Sequence, residues 1–317
     1  MEVSPDILQR VRQLEEKYAA MGQDMNSYLD GLLYADYLTY WDYIHLDTLL
    51  SLQNPRTPVP DERIFILYHQ ITELYFRLSL DAIEQLAFAD AAPTPDLLKR
   101  QLVRINRYFE QLINSFDIMV DGMDRDEFLR FRMSLLPASG FQSVQYRMIE
   151  IASTDLTQMI HSTKRDLVGN TQDVTALYAM LYWKSGATEL ATGKKTLTLR
   201  QFETKYSDEL IRYAAKMQTC NLRRLYLQLD PGAQQDAELR QLLREFDLNA
   251  NVRWALSHFR SAVRYLDAKP KEIAATGGTN WQQYLPPKLQ LVVFFPELWS
   301  ASELENWGRF SGKLTDG

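Results

Sequence analysis

Two of the four histidines stand where a histidine needs a reason. His258 borders a stripe formed by Leu248, Val252, Ala255, Phe259, Ala262 and Leu266, whose spacing of three and four residues predicts one face of a helix about five turns long. His69 lies in a second helical segment, Asp61–Ala87, one turn from Phe65 and next to Thr72 and Phe76. Ile64, Leu67, Tyr68, Ile71, Leu74, Tyr75 and Leu78 make the broad apolar face of the same segment. A helix apolar on most sides is expected to be buried, and a buried imidazole costs desolvation unless it has a partner. That separates His69 from His45 and His161. Two further stretches have useful chemistry. Arg132 runs into Pro137-Ala138-Ser139-Gly140-Phe141-Gln142, where small residues could bring backbone amides close to a ligand, and Thr276-Gly277-Gly278-Thr279 is a second small-residue loop.

These residue types permit one specific arrangement. A buried histidine between helices can hold heme iron through one imidazole, a second histidine can hydrogen-bond a substrate, and an arginine can clamp a carboxylate bidentately. Residue types alone fit a helical scaffold with core histidines equally well. No glycine-rich phosphate loop follows a strand, no His-Glu-x-x-His lies on a helix and no Gly-x-Ser-x-Gly elbow occurs, so nucleotide, zinc-protease and serine-hydrolase chemistry lack their signatures.

Composition narrows the class further. With 317 residues and 46% hydrophobic content the chain can bury a sizeable core, and no boundary divides it, so a single domain over 1–317 is expected. Thirteen glycines and long periodic segments favour helices over many short strands. The net charge of −6 comes from interspersed acids and bases without a basic stripe, which argues against nucleic acid as a partner. One cysteine, Cys220, excludes a disulfide framework, a multi-cysteine metal site and the usual covalent c-type heme attachment. The N-terminus does not read as a signal peptide and no apolar run has the length of a membrane span, so a cytoplasmic protein is expected.

The elements that must position these groups follow in order. Ser4-Pro5 starts a helix and Gly22 stops it. Between them Ile7, Val11, Leu14, Tyr18 and Met21 make a narrow stripe suited to another chain or to its own core. Tyr28, Tyr34, Tyr37, Tyr40, Trp41 and Tyr43 then supply rings with polar tips for an interface or a pocket wall. A long helix carries Leu98, Leu102, Ile105, Phe109, Leu112 and Phe116. Shorter helical pieces are expected over 128–136 and 144–160, an irregular middle over 169–196, and another helix over 206–229.

Taken together, several motifs resemble those of the tryptophan 2,3-dioxygenase family. They are Thr39-Tyr40-Trp41-Asp42-Tyr43-Ile44-His45-Leu46-Asp47, Phe65-Ile66-Leu67-Tyr68-His69-Gln70 with Glu73-Leu74-Tyr75-Phe76, and Phe131-Arg132 with 137–143. Trp254 with His258, Thr276-Gly277-Gly278-Thr279 and Phe294-Phe295-Pro296-Glu297-Leu298-Trp299 complete the set in the same order. The resemblance implies an all-α fold around a b-type heme, ferrous in the active form. His258, beside Trp254, would be the axial iron ligand and His69 the distal histidine facing the indole nitrogen. Arg132 would hold the substrate carboxylate, Thr276 and Gly277 the amino-acid end, and Phe65, Phe128, Ser139 and Gly140 the pocket. Tyr40, Tyr43 and Ile44 would complete the pocket of a neighbouring subunit in a homotetramer, with residues 1–50 at the interface. The activity implied is cleavage of the indole C2=C3 bond of tryptophan or a substituted tryptophan by molecular oxygen, giving an N-formylkynurenine.

The chain also departs from the family pattern. Pro60 replaces a histidine before Asp61-Glu62, Ala255 and Ala262 replace charged residues around the ligand, and Ala275 replaces a glycine. Asn280-Trp281-Gln282 stands where small residues are usual. A related heme monooxygenase acting on a tryptophan or tyrosine derivative, and a non-catalytic heme- or indole-binding helical protein, are the alternatives these residues leave open. Ala262, four residues after His258, rules out the covalent His-x-x-x-Cys heme link of some related tyrosine hydroxylases.

Overall fold

Proline at the first helical position and a left-handed glycine past the end delimit the first helix, α1 (Pro5–Ala20), as the sequence predicts. Gly22 takes φ +66°, a conformation that stops the helix without steric cost to a residue lacking Cβ. Ser4 stands at the N-cap but its side chain makes no capping bond. In this computed structural model the residues described are 3–35, 38–135, 138, 140–169, 171–188, 194–268, 271–272 and 286–309. They form an all-α fold. The strand content among them is one antiparallel pair, Asp267–Ala268 with Lys271–Glu272, plus two isolated bridges.

The single domain expected over 1–317 is drawn more finely by its contacts, which separate residues 1–54 from residues 55–317 as two compact units. The first unit holds α1, α2 (Met25–Tyr34), α3 (Tyr40–Tyr43) and α4 (Leu46–Ser51). Asp24 caps α2 and Thr39 caps α3 through their side chains. The α1 stripe is not buried within the chain: Ile7, Leu14 and Met21 are exposed, as are Leu32, Leu33, Tyr40 and Tyr43. Tyr18 and Tyr28 join α1 to α2 with ring centroids 4.5 Å apart.

The second unit is built on α5 (Asp61–Ala87) and α6 (Pro95–Val120), packed side by side. Around them lie α7 (Arg125–Phe131), α8 (Val144–Ser153), α9 (Val174–Ala179), α10 (Tyr182–Gly186), α11 (Leu197–Met217), α12 (Leu222–Leu227), α13 (Pro231–Gln234), α14 (Ala237–Leu248) and α15 (Trp254–Leu266). Thr94 caps α6 and Pro95 opens it, and every apolar residue predicted for its stripe, Leu98 to Phe116, is buried. The large core joins α5, α6, α8, α11 and α14 through side chains such as Leu80, Ile83, Leu102, Phe109, Phe202, Leu243 and Phe246. Each fully buried side chain of this size contributes roughly 1.5–3 kcal/mol.

Several expectations are corrected. The broad apolar face predicted for α5 is only partly inward: Tyr68 is buried and Ile64, Leu67 and Tyr75 are half-buried, but Ile71, Leu74 and Leu78 are exposed, while Thr72, Phe76, Ile83 and Leu86 are buried. Periodicity identifies a face but not what covers it. The piece at 128–136 is α7 followed by a 3-10 turn, Arg132–Leu135. The helix expected over 144–160 ends at Ser153, where Thr154 turns extended and its hydroxyl donates to Phe294 O at 2.7 Å. The helix expected over 206–229 begins at Leu197 and breaks after Met217, where Asn221 caps a new start. The helix of His258 is not continuous either. A π-helical turn, Asn249–Arg253, separates α14 from α15.

Candidate functional site

A second, smaller core within residues 55–317 consists of Tyr68, Phe116, Met119, Met123 and Tyr265, with Phe65, Phe128, Trp254, Phe259, Ala262 and Val263 packed against it. His69 and His258 belong to this aromatic region. On α5, His69 lies 4.1 Å from the Phe65 ring and edge-on to Tyr68 at 5.7 Å, centroid to centroid. Tyr68 meets Phe116 at 5.7 Å, and Phe116 stacks on His258 at 6.0 Å and contacts Trp254 at 4.6 Å. Phe65 in turn meets Phe128 at 6.2 Å and Phe131 at 5.7 Å. These rings surround the two imidazoles with apolar surface.

The protonation of each histidine follows from its surroundings. His69 Nδ1 lies 2.7 Å from the Phe65 carbonyl oxygen, which can only accept, so Nδ1 carries the proton and Nε2 of the neutral ring is an acceptor. Burial pulls the His69 pKa below its ordinary value, outweighing the Phe65 bond and the Glu73 charge, which act to raise it. His258 is pushed down to about 4, first by burial and then by the neighbouring charge of protonated His69. Among the described residues no hydrogen bond reaches the His258 ring. A neutral imidazole in an aromatic surround, with neither nitrogen bonded by a described residue, has the donor chemistry of a metal ligand.

Gly140 adds a cradle on the same side. A Cβ built on it would lie 3.6 Å from His258 Cε1 and 3.9 Å from Nε2, so a glycine here keeps longer side chains away from that nitrogen. Gly140 opens the turn Gly140–Gln142, and Ser143 then caps α8 by accepting from Tyr146 N–H. Gln145 pins α8 to α5 by donating to Glu73 O and Oε2, both at 2.9 Å. The residues present therefore fit a heme held through His258.

Arg132 follows the fully buried Phe131 and is itself buried, with its pKa lowered by desolvation. A guanidinium taken out of water is strongly favoured by a carboxylate that matches its planar fork. Phe128 is backed by Tyr265 at 4.7 Å, whose hydroxyl donates to Met119 O and, at 3.3 Å, to Met123 O. The structure thus brings together His69, Phe65, Phe128, Trp254, His258 and Gly140. Ser139, Thr276 and Gly277 lie outside the described residues. Tyr40, Tyr43 and Ile44 belong to the first unit, where both tyrosines are exposed and Ile44 is half-buried.

Sequence reasoning placed Phe116 in a core stripe, gave Phe131 no role beyond its place in a motif, and did not single out Tyr265. Phe116 is separated in sequence from both histidines, and only the packing of α6 against α15 brings it to His258. Its one signal was a place at the end of the α6 stripe.

Comparison with known proteins gives a consistent result. A family model described as tryptophan 2,3-dioxygenase matches residues 31–197, more than half of the chain. A protein of Polaromonas sp. strain JS666 named tryptophan 2,3-dioxygenase is 32% identical over 267 residues, covering 83% of this chain and 86% of its own. Proteins of the same name from Ruegeria sp. strain TM1040 and Bordetella pertussis are 29% and 30% identical. They cover 84% and 88% of this chain and 92% and 94% of their own lengths.

Proposed function

Because the chain belongs to the tryptophan 2,3-dioxygenase family, we propose that it is a heme-dependent dioxygenase that opens the indole C2=C3 bond of L-tryptophan or a substituted tryptophan to an N-formylkynurenine. The observation that carries this reading is the meeting of His69 and His258 in one aromatic core, with Gly140 against the second imidazole. Heme b, ferrous in the active form, would supply when bound the redox chemistry by which molecular oxygen is transferred.

The chain's own residues bind and orient. His258, neutral and with no hydrogen bond from the described residues, would hold the heme iron, and Trp254 packs with Phe116 beside it. The proton on His69 Nδ1 is committed to Phe65 O, which leaves Nε2 to accept from the indole N–H. Phe65 and Phe128 wall the indole and exclude water. Arg132 clamps the substrate carboxylate, Thr276 and Gly277 meet the amino-acid end, and Ser139 and Gly140 belong to the pocket lining. The exposed stripe of α1 and the exposed Tyr40 and Tyr43 fit a subunit interface, and the family resemblance extends this to a homotetramer of one-domain chains in which Tyr40, Tyr43 and Ile44 complete a neighbour's pocket. Among the described residues no helix is long and apolar enough to cross a membrane.

The test is to load the protein with heme, reduce it, supply L-tryptophan and oxygen, and weigh the product. Two added oxygen atoms and an opened ring are expected. One added oxygen indicates hydroxylation instead, and no turnover with tryptophan or its ring-substituted analogues overturns the reading.

A further inference from the structure

The rotation of His258 into the aromatic core depends on one inserted residue. In a continuous α-helix, positions seven apart fall on nearly the same face. The buried Leu239 and Phe246 of α14 would then continue at Arg253 and Arg260, and the buried Leu243 and Ala250 would continue at Ser257 and Arg264. Both Arg260 and Arg264 are exposed. The π-turn Asn249–Arg253 shifts each series by one residue, to Trp254 and Ser261 and to His258 and Tyr265. Ser261 and Tyr265 are buried, and Trp254 and His258 both reach Phe116. The wider pairing is visible in the backbone, where Trp254 N–H donates to Asn249 O, five residues back.

Such a turn is rare and forfeits regular helical pairing, so it needs support from outside. Three elements give it. The Tyr146 hydroxyl on α8 donates to Ala250 O at 3.1 Å. Asn249 Nδ2 donates to Asn106 Oδ1 on α6 at 3.1 Å, and Asn106 Nδ2 donates to Leu242 O at 3.0 Å. Asn251 Nδ2 donates at 2.8 Å to Asp247, a fully buried carboxylate that also accepts from Phe294 N–H, Phe295 N–H and Trp299 Nε1–H. Arg253 closes the turn by donating to Asn249 Oδ1 at 2.7 Å.

We propose that the π-turn Asn249–Arg253 is the device that rotates His258 onto the heme-binding face, and that Tyr146, bound to the Ala250 carbonyl, is a positioning residue for that ligand. The inference rests on reading His258 as the axial ligand. Tyr146 sits three residues beyond the cap of α8, so the same short segment presents Gly140 to the imidazole and fixes the backbone that aims it. Tyr146→Phe removes only the hydroxyl and keeps the ring against Phe76.

The experiment compares the ferrous, heme-loaded protein with its Tyr146→Phe and His258→Ala variants by resonance Raman spectroscopy of the iron–histidine stretch, with heme per chain measured in parallel. In Tyr146→Phe the expected result is unchanged heme content with a shifted or broadened band. A band lost in His258→Ala but unmoved in Tyr146→Phe overturns this inference alone. A band that survives His258→Ala overturns the ligand assignment and this inference with it. Deletion of Ala250, which restores continuous helical register, is expected to lose heme while circular dichroism reports the parent's helix content; full heme content with the parent's band in that variant also overturns the inference.

Discussion

Gly140 and His258 meet with no side chain between them: a Cβ at position 140 would stand 3.6 Å from Cε1 of the imidazole. That separation is ordinary van der Waals contact, so Gly140→Ala is expected to fold and retain heme. Gly140→Leu carries three further carbons toward Nε2 and is expected to lower heme per chain severalfold. Heme content equal to the parent's in Gly140→Leu would show that the cofactor does not use this side of the imidazole.

The two histidines differ in what their nitrogens already do. His69 is committed through Nδ1 to Phe65 O, whereas no described residue bonds the His258 ring. His258→Ala is therefore expected to abolish the heme absorption band, and His69→Ala to keep it while turnover falls. Retention of heme to the same extent in both variants would contradict this division of roles.

Much of this site was legible in the sequence, for physical reasons that differ by residue. The bounds of α5 and α6 were marked by Asp61, Thr94 and Pro95, and His69 stood out because its helix was apolar on most sides. The inward face of α5 was read too broadly, since Ile71, Leu74 and Leu78 obey the same periodicity as the buried Tyr68 and only the folded chain shows them exposed. The π-turn was invisible for a related reason. Apolar residues at intervals of three and four continue across 248–266 whether or not a residue is inserted, and the discriminating signal was the arginine pair Arg260 and Arg264. Phe116 and Tyr265 reach the site through tertiary packing, which no local pattern encodes.

The pH dependence has a definite sign. Burial holds His69 below the ordinary histidine value of 6.5, so between its folded pKa and 6.5 the unfolded chain binds more protons than the folded one. Stability contributed by the neutral ring is present above 6.5 and is lost as pH falls through that window. The acid limb of kcat/KM is accordingly expected below pH 6.5 and is expected to vanish from the residual rate of His69→Ala. A limb above 6.5 in the parent protein would mean that the ring is held protonated instead.

Arg132 makes a prediction about substrate alone. Its guanidinium is buried beside Phe131, and a charge-assisted contact to a carboxylate is worth about 1.5–3 kcal/mol, or roughly 10- to 150-fold in affinity. Arg132→Ala is expected to weaken tryptophan binding by about that factor in calorimetric titration, with heme content unchanged. Tryptamine, which lacks the carboxylate, is expected to bind parent and variant alike. Equal affinity of both proteins for tryptophan would place the carboxylate elsewhere.

The exposed face of α5 tests the assembly. Ile71, Leu74 and Leu78 form a stripe on one side of the longest helix among the described residues, and aligned apolar side chains of this size are covered in stable proteins by a partner. In the proposed homotetramer that partner is another copy of the chain. Leu74 is 53% exposed within the single chain, so an arginine there meets water in a monomer but an apolar surface in an assembly. Leu74→Arg is expected to lower the mass found by sedimentation while the thermal midpoint measured on the dissociated chain stays within a few degrees of the parent's. An unchanged mass would show that this face is not part of the subunit contact.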